Sequence, residues 1–147
     1  MRYTYKSPHS DQEWHDYFQL RWQILRAPWQ QASGSERDEF ENSAFHIAAL
    51  DARHITVGVG RIHQLTGAQA QIRYMAVHTE HRGYGIGGEI LSRLEQQAQL
   101  WSCSEILLNA RVEFLEFYLK HDYLIIGEAP TLFGSIEHKR MHKLLAR

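Results

Sequence analysis

The chain has one cysteine, Cys103, among 147 residues. An internal disulfide framework is therefore excluded, and a reducing compartment is the expected setting. Charge of one sign is also missing: Lys and Arg number 16, Asp and Glu 17, and the net charge is −1. Without a basic excess, nothing points to nucleic acid or to an anionic membrane surface. Long apolar runs are absent as well. The opening stretch MRYTYKSPHSDQEW lacks the apolar segment of a secretory signal, and no run approaches a membrane span. We expect a cytoplasmic protein with neither a nucleic-acid nor a membrane partner. Repeats, low-complexity tracts and linkers are lacking, so residues 1–147 read as a single domain. No His-Glu-x-x-His or Cys-x-x-Cys occurs; His138 and His142 stand four apart, but in a segment that reads as a strand, so no metal is expected.

What is present is a glycine-rich turn between a strand and a helix. The run IRYMAV, Ile72 to Val77, reads as a strand. Arg82-Gly83-Tyr84-Gly85-Ile86-Gly87-Gly88 follows and opens a segment of helical period: Ile86, Ile90, Leu94, Ala98 and Trp101 share one face, widened by Leu91. Glycines let the backbone take positive φ and approach a ligand closely. The first N–H groups of the helix and its dipole then favour an anionic group. Arg82 adds a planar cation suited to phosphate oxygens.

The rest of the chain orders around this turn. Arg2 to Lys6 can form a short strand. Ser10 to Glu13 matches a capping box. Trp14, Phe18, Trp22 and Leu25 then recur at helical spacing, flanked by Tyr17 and Ile24, and Pro28 should end that helix. Gln30 to Asn42 is polar, either a loop or a short helix. Ala44 to Leu50, then His54 to Leu65, read as strands whose short connections imply antiparallel neighbours. After the glycine-led helix, Ser104 to Ala110 reads as a buried strand, parallel to the one before the turn by the logic of the βαβ unit. Val112 to Lys120 is a second helical segment. Tyr123 to Glu128 and Ser135 to Leu145 are two closing strands, with Ala129-Pro130 as a break between them. The class is α/β: a mixed, mostly antiparallel sheet with one parallel pair, flanked by helices.

This order, with Arg82-x-x-Gly85-x-Gly87 between the fourth strand and its helix, resembles the GNAT superfamily of acetyl-CoA-dependent N-acetyltransferases, whose hallmark is Arg/Gln-x-x-Gly-x-Gly/Ala. A second block, ILLNARVEFLEFYLKHDY, is similar to the next family motif, with its helical Phe117-Tyr118 pair. Ile136-x-His138-x-x-Met141 resembles the terminal strand of a small bacterial subgroup. The matches run from about Ala44 to Lys143. Two stretches depart: Asp122-Tyr123 stands where members often have Gly-Phe or Gly-Tyr, and RAPWQQASG replaces a more acidic segment in the region that usually shapes the acceptor.

The resemblance implies a cofactor, acetyl-CoA, with its pyrophosphate on Arg82, Gly83, Tyr84, Gly85, Ile86, Gly87 and Gly88. It implies a pantetheine arm along Met75, Ala76 and Val77, where the parallel strands splay, with Asn109 facing the gap. It also implies direct transfer to a primary amine, on a small molecule or a peptide, in a ternary complex. A lysine-like amine is neutral in only about one molecule in a few thousand at pH 7, so that minor form must be bound or generated. Tyr118 is the candidate general acid for the departing thiolate. For the general base the available groups are His138, His63, Glu137 and Glu113; His138 is the first choice, against ordered water. Arg61 and Arg73 on adjacent strands either bind an acceptor carboxylate or, as favoured, pair with acidic neighbours on an exposed face. Trp14, Trp22 and Trp29 either line an acceptor cleft, make the contact of a homodimer or pack in the core. Cys103 reads as a packed thiol.

Two other readings fit parts of the pattern. Gly83-x-Gly85-x-x-Gly88 also matches a dinucleotide fingerprint, but His78 to Arg82 separate it from the strand and no acidic residue ends the next one. A non-catalytic acyl-CoA-binding sensor of the same fold is the alternative from a different class.

Overall fold

The computed structural model describes residues 2–146. In chain order they form β1 (Thr4–Lys6), α1 (Asp11–Leu25), β2 (Phe45–Leu50), β3 (Thr56–Gln64) and β4 (Gln69–Val77). Then come α2 (Ile86–Leu100), β5 (Glu105–Arg111), α3 (Leu115–Lys120), β6 (Leu124–Leu132) and β7 (Ile136–Leu144). The strands make one seven-stranded sheet, ordered β1-β2-β3-β4-β5-β7-β6. Every neighbouring pair is antiparallel except β4 and β5, the strands that flank α2. The α/β class, the mixed sheet and the single parallel pair stand as the sequence predicts.

Helix α1 starts on the expected capping box: the Ser10 side chain accepts from the Glu13 N–H, and the Glu13 carboxylate accepts from the Ser10 N–H. It ends at Leu25, and Pro28 lies in a 3-10 turn, Ala27–Trp29, just beyond. Its buried face differs from the expected one. Tyr17, Leu20 and Arg21 are buried, whereas Trp14, Phe18, Trp22 and Leu25 are only partly so. Polar groups on the sheet and the following loop cause the rotation. The Tyr17 hydroxyl donates to the Gly60 carbonyl, and Arg21 is fully buried because the Glu41 carboxylate and the Glu36 carbonyl reach it. Trp22 donates its ring N–H to the Gln31 carbonyl. Residues 30–42 form turns rather than a helix.

Helix α1 covers one face of the sheet with Tyr17 and Leu20 on Ala48, Val59 and Ala76. On the other face α2 buries Ile86, Ile90, Leu91, Leu94 and Ala98, the face its period predicts. Trp101 packs there half-buried, and Cys103 is a buried free thiol in the same core.

The parallel pair is bonded only at its start, from Gln69 opposite Glu105 to Gln71 opposite Leu107. Beyond Gln71 the two strands separate. A bulge in β4 assists: Val59 pairs with Ala76 and Arg61 with Arg73, so Tyr74 and Met75 together face Gly60. Tyr74 adopts φ +62, the left-handed region that an aromatic residue rarely occupies. Nothing in the sequence marks this bulge.

One strand boundary is corrected. Ala129-Pro130 does not end the strand; β6 continues to Leu132, with one register shift between Ile125 and Gly127 and a second, between Ala129 and Leu132, that contains Pro130. β6 is an edge strand, where proline costs no ladder bond. Asp122, at the family's usual glycine position, has φ +71, which a short polar side chain tolerates better than most. No helix among the described residues is long and apolar enough to cross a membrane.

Candidate active site

The separation of β4 from β5 opens two cavities that meet at one point. The first, about 340 Å³, is lined by Met75, Ala76 and Val77 and by Arg82, Gly83, Gly85, Ile86, Gly87 and Gly88. The second, about 360 Å³, lies on the other side of the gap, between the end of α1, β4, β5 and the β6–β7 pair. Leu25, Met75, Arg111, Phe114 and Tyr118 line both.

The wall of the first cavity formed by the turn and the start of α2 is made of backbone. Gly83 and Gly85 have φ +87 and +80, and the space over them is open. Gly85 caps α2, and no side chain caps this terminus. The first helical bond runs from the Glu89 N–H to the Gly85 carbonyl, so the N–H groups of Ile86, Gly87 and Gly88 have no helical partner. Side chains close the floor: a Cβ on Gly87 would sit 3.2 Å from the Phe117 ring, and one on Gly88 would sit 3.3 Å from His121. Open donors, a helix dipole and Arg82 at the rim fit a pyrophosphate. Tyr84 alone of this segment points away; it is 52% exposed and lies near Tyr3.

Tyr118 stands at the junction. Its hydroxyl donates to Met75 Sδ at 3.8 Å, a weak partner that leaves the proton free for a better acceptor. Burial pushes its pKa up to about 12, so the phenol is protonated at neutral pH.

The second cavity is made of side chains from distant parts of the chain. His138 lines it, with Nδ1 2.9 Å from its own Ile136 carbonyl. A carbonyl only accepts, so Nδ1 carries the hydrogen and Nε2 keeps its lone pair. Burial lowers the His138 pKa, aided by Arg111 and Arg26, which keeps the ring neutral. Asn109 is exposed and lines this cavity rather than the glycine one. The other base candidates lie apart. His63 is buried, stacked on Phe40 at 4.3 Å, and bonded to Arg61, while Glu137 and Glu113 are exposed.

Arg61 and Arg73 pair with acidic neighbours. Asp38 Oδ2 accepts from Arg61 at 3.0 Å and from Arg73 at 2.9 Å, and Glu41 accepts from both Arg61 and Arg21. Arg61 is fully buried, not on an exposed face. Burial alone would raise the Asp38 carboxyl, but hydrogen bonds from Arg61 and the Phe40 N–H hold it at about 2. The ring of Tyr74, turned by the bulge, has guanidinium carbons of Arg21, Arg73, Arg61 and Arg26 at 4.3, 4.5, 4.9 and 5.6 Å.

Arg26 and Arg111 escape sequence reasoning, although both line the second cavity. The signal for Arg111 was present: it lies two residues beyond Asn109 on one strand, hence on the same face. No comparable signal marks Arg26. Among the tryptophans, Trp14 packs edge-on against Tyr17 and His46, and Trp29 stacks on Phe133 with the Arg111 guanidinium over its ring; none of Trp14, Trp22 and Trp29 lines either cavity.

The family model described as Acetyltransferase (GNAT) family matches residues 14–123. The uncharacterized N-acetyltransferase YjcF of Bacillus subtilis (strain 168) is 31% identical over 134 residues, covering 91% of this chain and 94% of that protein. An aminoglycoside 6'-N-acetyltransferase complexed with coenzyme A superposes with a TM-score of 0.81 at 17% identity, over 100% of this chain and 99% of the other. Ard1 from Thermoplasma volcanium gives 0.79 at 16% identity, over 99% of each chain. At these identities the two structures speak for the fold.

Proposed function

The chain belongs to the GNAT acetyltransferase family, and from that premise we propose that it transfers the acetyl group of acetyl-CoA directly to a primary amine in a ternary complex. The observation that carries this reading is the pair of cavities meeting at Tyr118: one shaped for a phosphate-bearing cofactor, the other open to an acceptor.

Bound acetyl-CoA supplies an acyl group on a thiol leaving group. The N–H groups of Ile86, Gly87 and Gly88, with Arg82, would hold its phosphates. The edge of β4 from Met75 to Val77, unpaired on the side of β5, offers backbone groups to the pantetheine arm. Of these groups the Val77 carbonyl already accepts from Arg82 Nε at 3.3 Å, which ties the rim cation to the end of the strand. The amine approaches from the second cavity. His138 Nε2 accepts its proton directly or through a water, since a neutral imidazole is the form that can do so. Tyr118 would hold its hydroxyl proton at the junction, available to a departing thiolate. A phenol near 12 is a weak acid toward an exposed thiolate. The gap that raises the phenol also raises the thiolate's proton affinity, so the two are better matched inside than in water.

Thermal unfolding with excess acetyl-CoA, CoA and NAD(P) in parallel tests the reading. Ligand at about 100 times its dissociation constant stabilises by about 2.7 kcal/mol, a rise of several degrees. A rise with both CoA forms and none with NAD(P) is expected. A rise with NAD(P) alone, or none at all, would overturn it, and binding without turnover of any amine would favour the sensor.

A further inference from the structure

The second cavity has a lopsided charge. Its lining includes three guanidiniums, Arg26, Arg73 and Arg111, and no Asp or Glu. Arg73 has a carboxylate partner in Asp38, but shares it with Arg61. Arg26 has none among the described residues. It is 7% exposed, and its donors go to the carbonyls of Ser35 at 3.2 Å and Leu25 at 2.9 Å. Arg111 reaches only Glu113, at 3.8 Å, and that side chain is 64% exposed, so water screens the pair. Burial lowers the pKa of both Arg26 and Arg111, and each is lowered further by neighbouring arginines. A buried cation without a counter-charge is costly, and such a group is the natural partner of an incoming anion. Arg111 also lines the junction beside Tyr118, so an anion held here lies near the point where an amine must attack.

We propose that the acceptor is a primary amine that itself carries an oxyanion, a carboxylate or a phosphate, which Arg26, Arg73 and Arg111 receive in this cavity. The proposal rests on the acetyltransferase reading above and narrows its substrate. It disfavours polyamines and aminoglycosides, whose several ammonium groups would enter a site with three cations and no carboxylate to meet them. It also helps the chemistry. Nearby guanidiniums disfavour the protonated amine and so enlarge the minor neutral fraction that can attack.

The test compares kcat/KM, read as thiol released from acetyl-CoA. One arm uses amino acids and dipeptides, one uses aminohexose phosphates, and the controls are unphosphorylated aminohexoses, spermidine and an aminoglycoside. At least one oxyanion-bearing arm should exceed the controls about tenfold or more, and which arm does so identifies the anion. Arg26→Gln and Arg73→Gln should each raise KM for the preferred acceptor about tenfold with acetyl-CoA KM within about twofold. Arg26→Lys should recover part of the loss. Arg73 is 43% exposed, so its variant is expected to fold even if the Arg26 variants do not. Equal or better turnover of spermidine or the aminoglycoside, or unchanged acceptor KM in Arg73→Gln, would overturn the proposal. If acetyl-CoA neither protects the fold nor turns over, the acetyltransferase reading fails by itself. N-acetylglycine titrated against the protein then decides the anion site separately. Binding that is lost in Arg73→Gln keeps the site, and no binding removes it.

Discussion

The two cavities that meet at Tyr118 are built in opposite ways. The glycine cavity draws on a short contiguous run of backbone, Arg82 to Gly88, with β4 beside it. The arginine cavity draws one or a few side chains from α1, β4, β5, β6 and β7. A backbone site offers N–H groups in fixed geometry and is indifferent to most side chains around it. A side-chain site changes its chemistry with each substitution. One scaffold can therefore keep one cofactor while its acceptor cavity is respecified residue by residue; on the reading proposed above, the arginines of this chain are one such specification.

Three measurements break or sharpen that contrast. Gly85→Val should have the largest effect. Valine at φ +80 is strained, yet its Cβ would meet nothing within 4 Å, so the fold should survive while the cradle is distorted. We expect acetyl-CoA affinity to fall at least about a hundredfold; retained affinity by calorimetry would move the phosphate contact elsewhere. Tyr118→Phe comes next, since it acts at the junction and belongs to both cavities. Turnover should fall about ten- to a hundredfold while acetyl-CoA binding changes little; unchanged turnover would remove Tyr118 from the acid role.

The smallest effect is on stability against pH, and it reaches the side-chain-built cavity through His138. Burial lowers the pKa of His46, His63 and His138 below the ordinary 6.5. Between those lowered values and 6.5 the unfolded chain binds more protons than the folded one. Stability should therefore rise with pH across that window and fall as pH drops below about 6.5. A thermal midpoint that stays flat from pH 7.5 to 5.5 would contradict the neutral buried histidines.

The same contrast explains what was legible in the sequence. Element order, the parallel pair and the buried face of α2 follow from local periodicity, and the cradle follows from contiguous glycines. The face of α1 was misplaced because Arg21 is buried by Glu41 and Glu36, partners in a loop that local pattern does not place. The Tyr74 bulge left no mark because any residue pair could fill it; the ring of four guanidiniums shows its consequence only in three dimensions. Asn109 was read toward the cofactor, while the structure puts it in the arginine cavity, a distinction that alternation along β5 cannot make. Edge strand β6 continues through Pro130 because the residue lies in a register shift of the β6–β7 pairing, where proline is tolerated.

Helix α2 rests directly on two glycines of β3. A Cβ on Gly58 would lie 2.8 Å from Ile86, and one on Gly60 would lie 2.5 Å from Ile90. These glycines act as a spacer of zero thickness. They fix the height of the helix above the sheet, and with it the level of the cradle relative to the gap beside β4. On the acetyltransferase reading, the reach from phosphate to reacting carbon is thus gauged in part by a strand that touches neither.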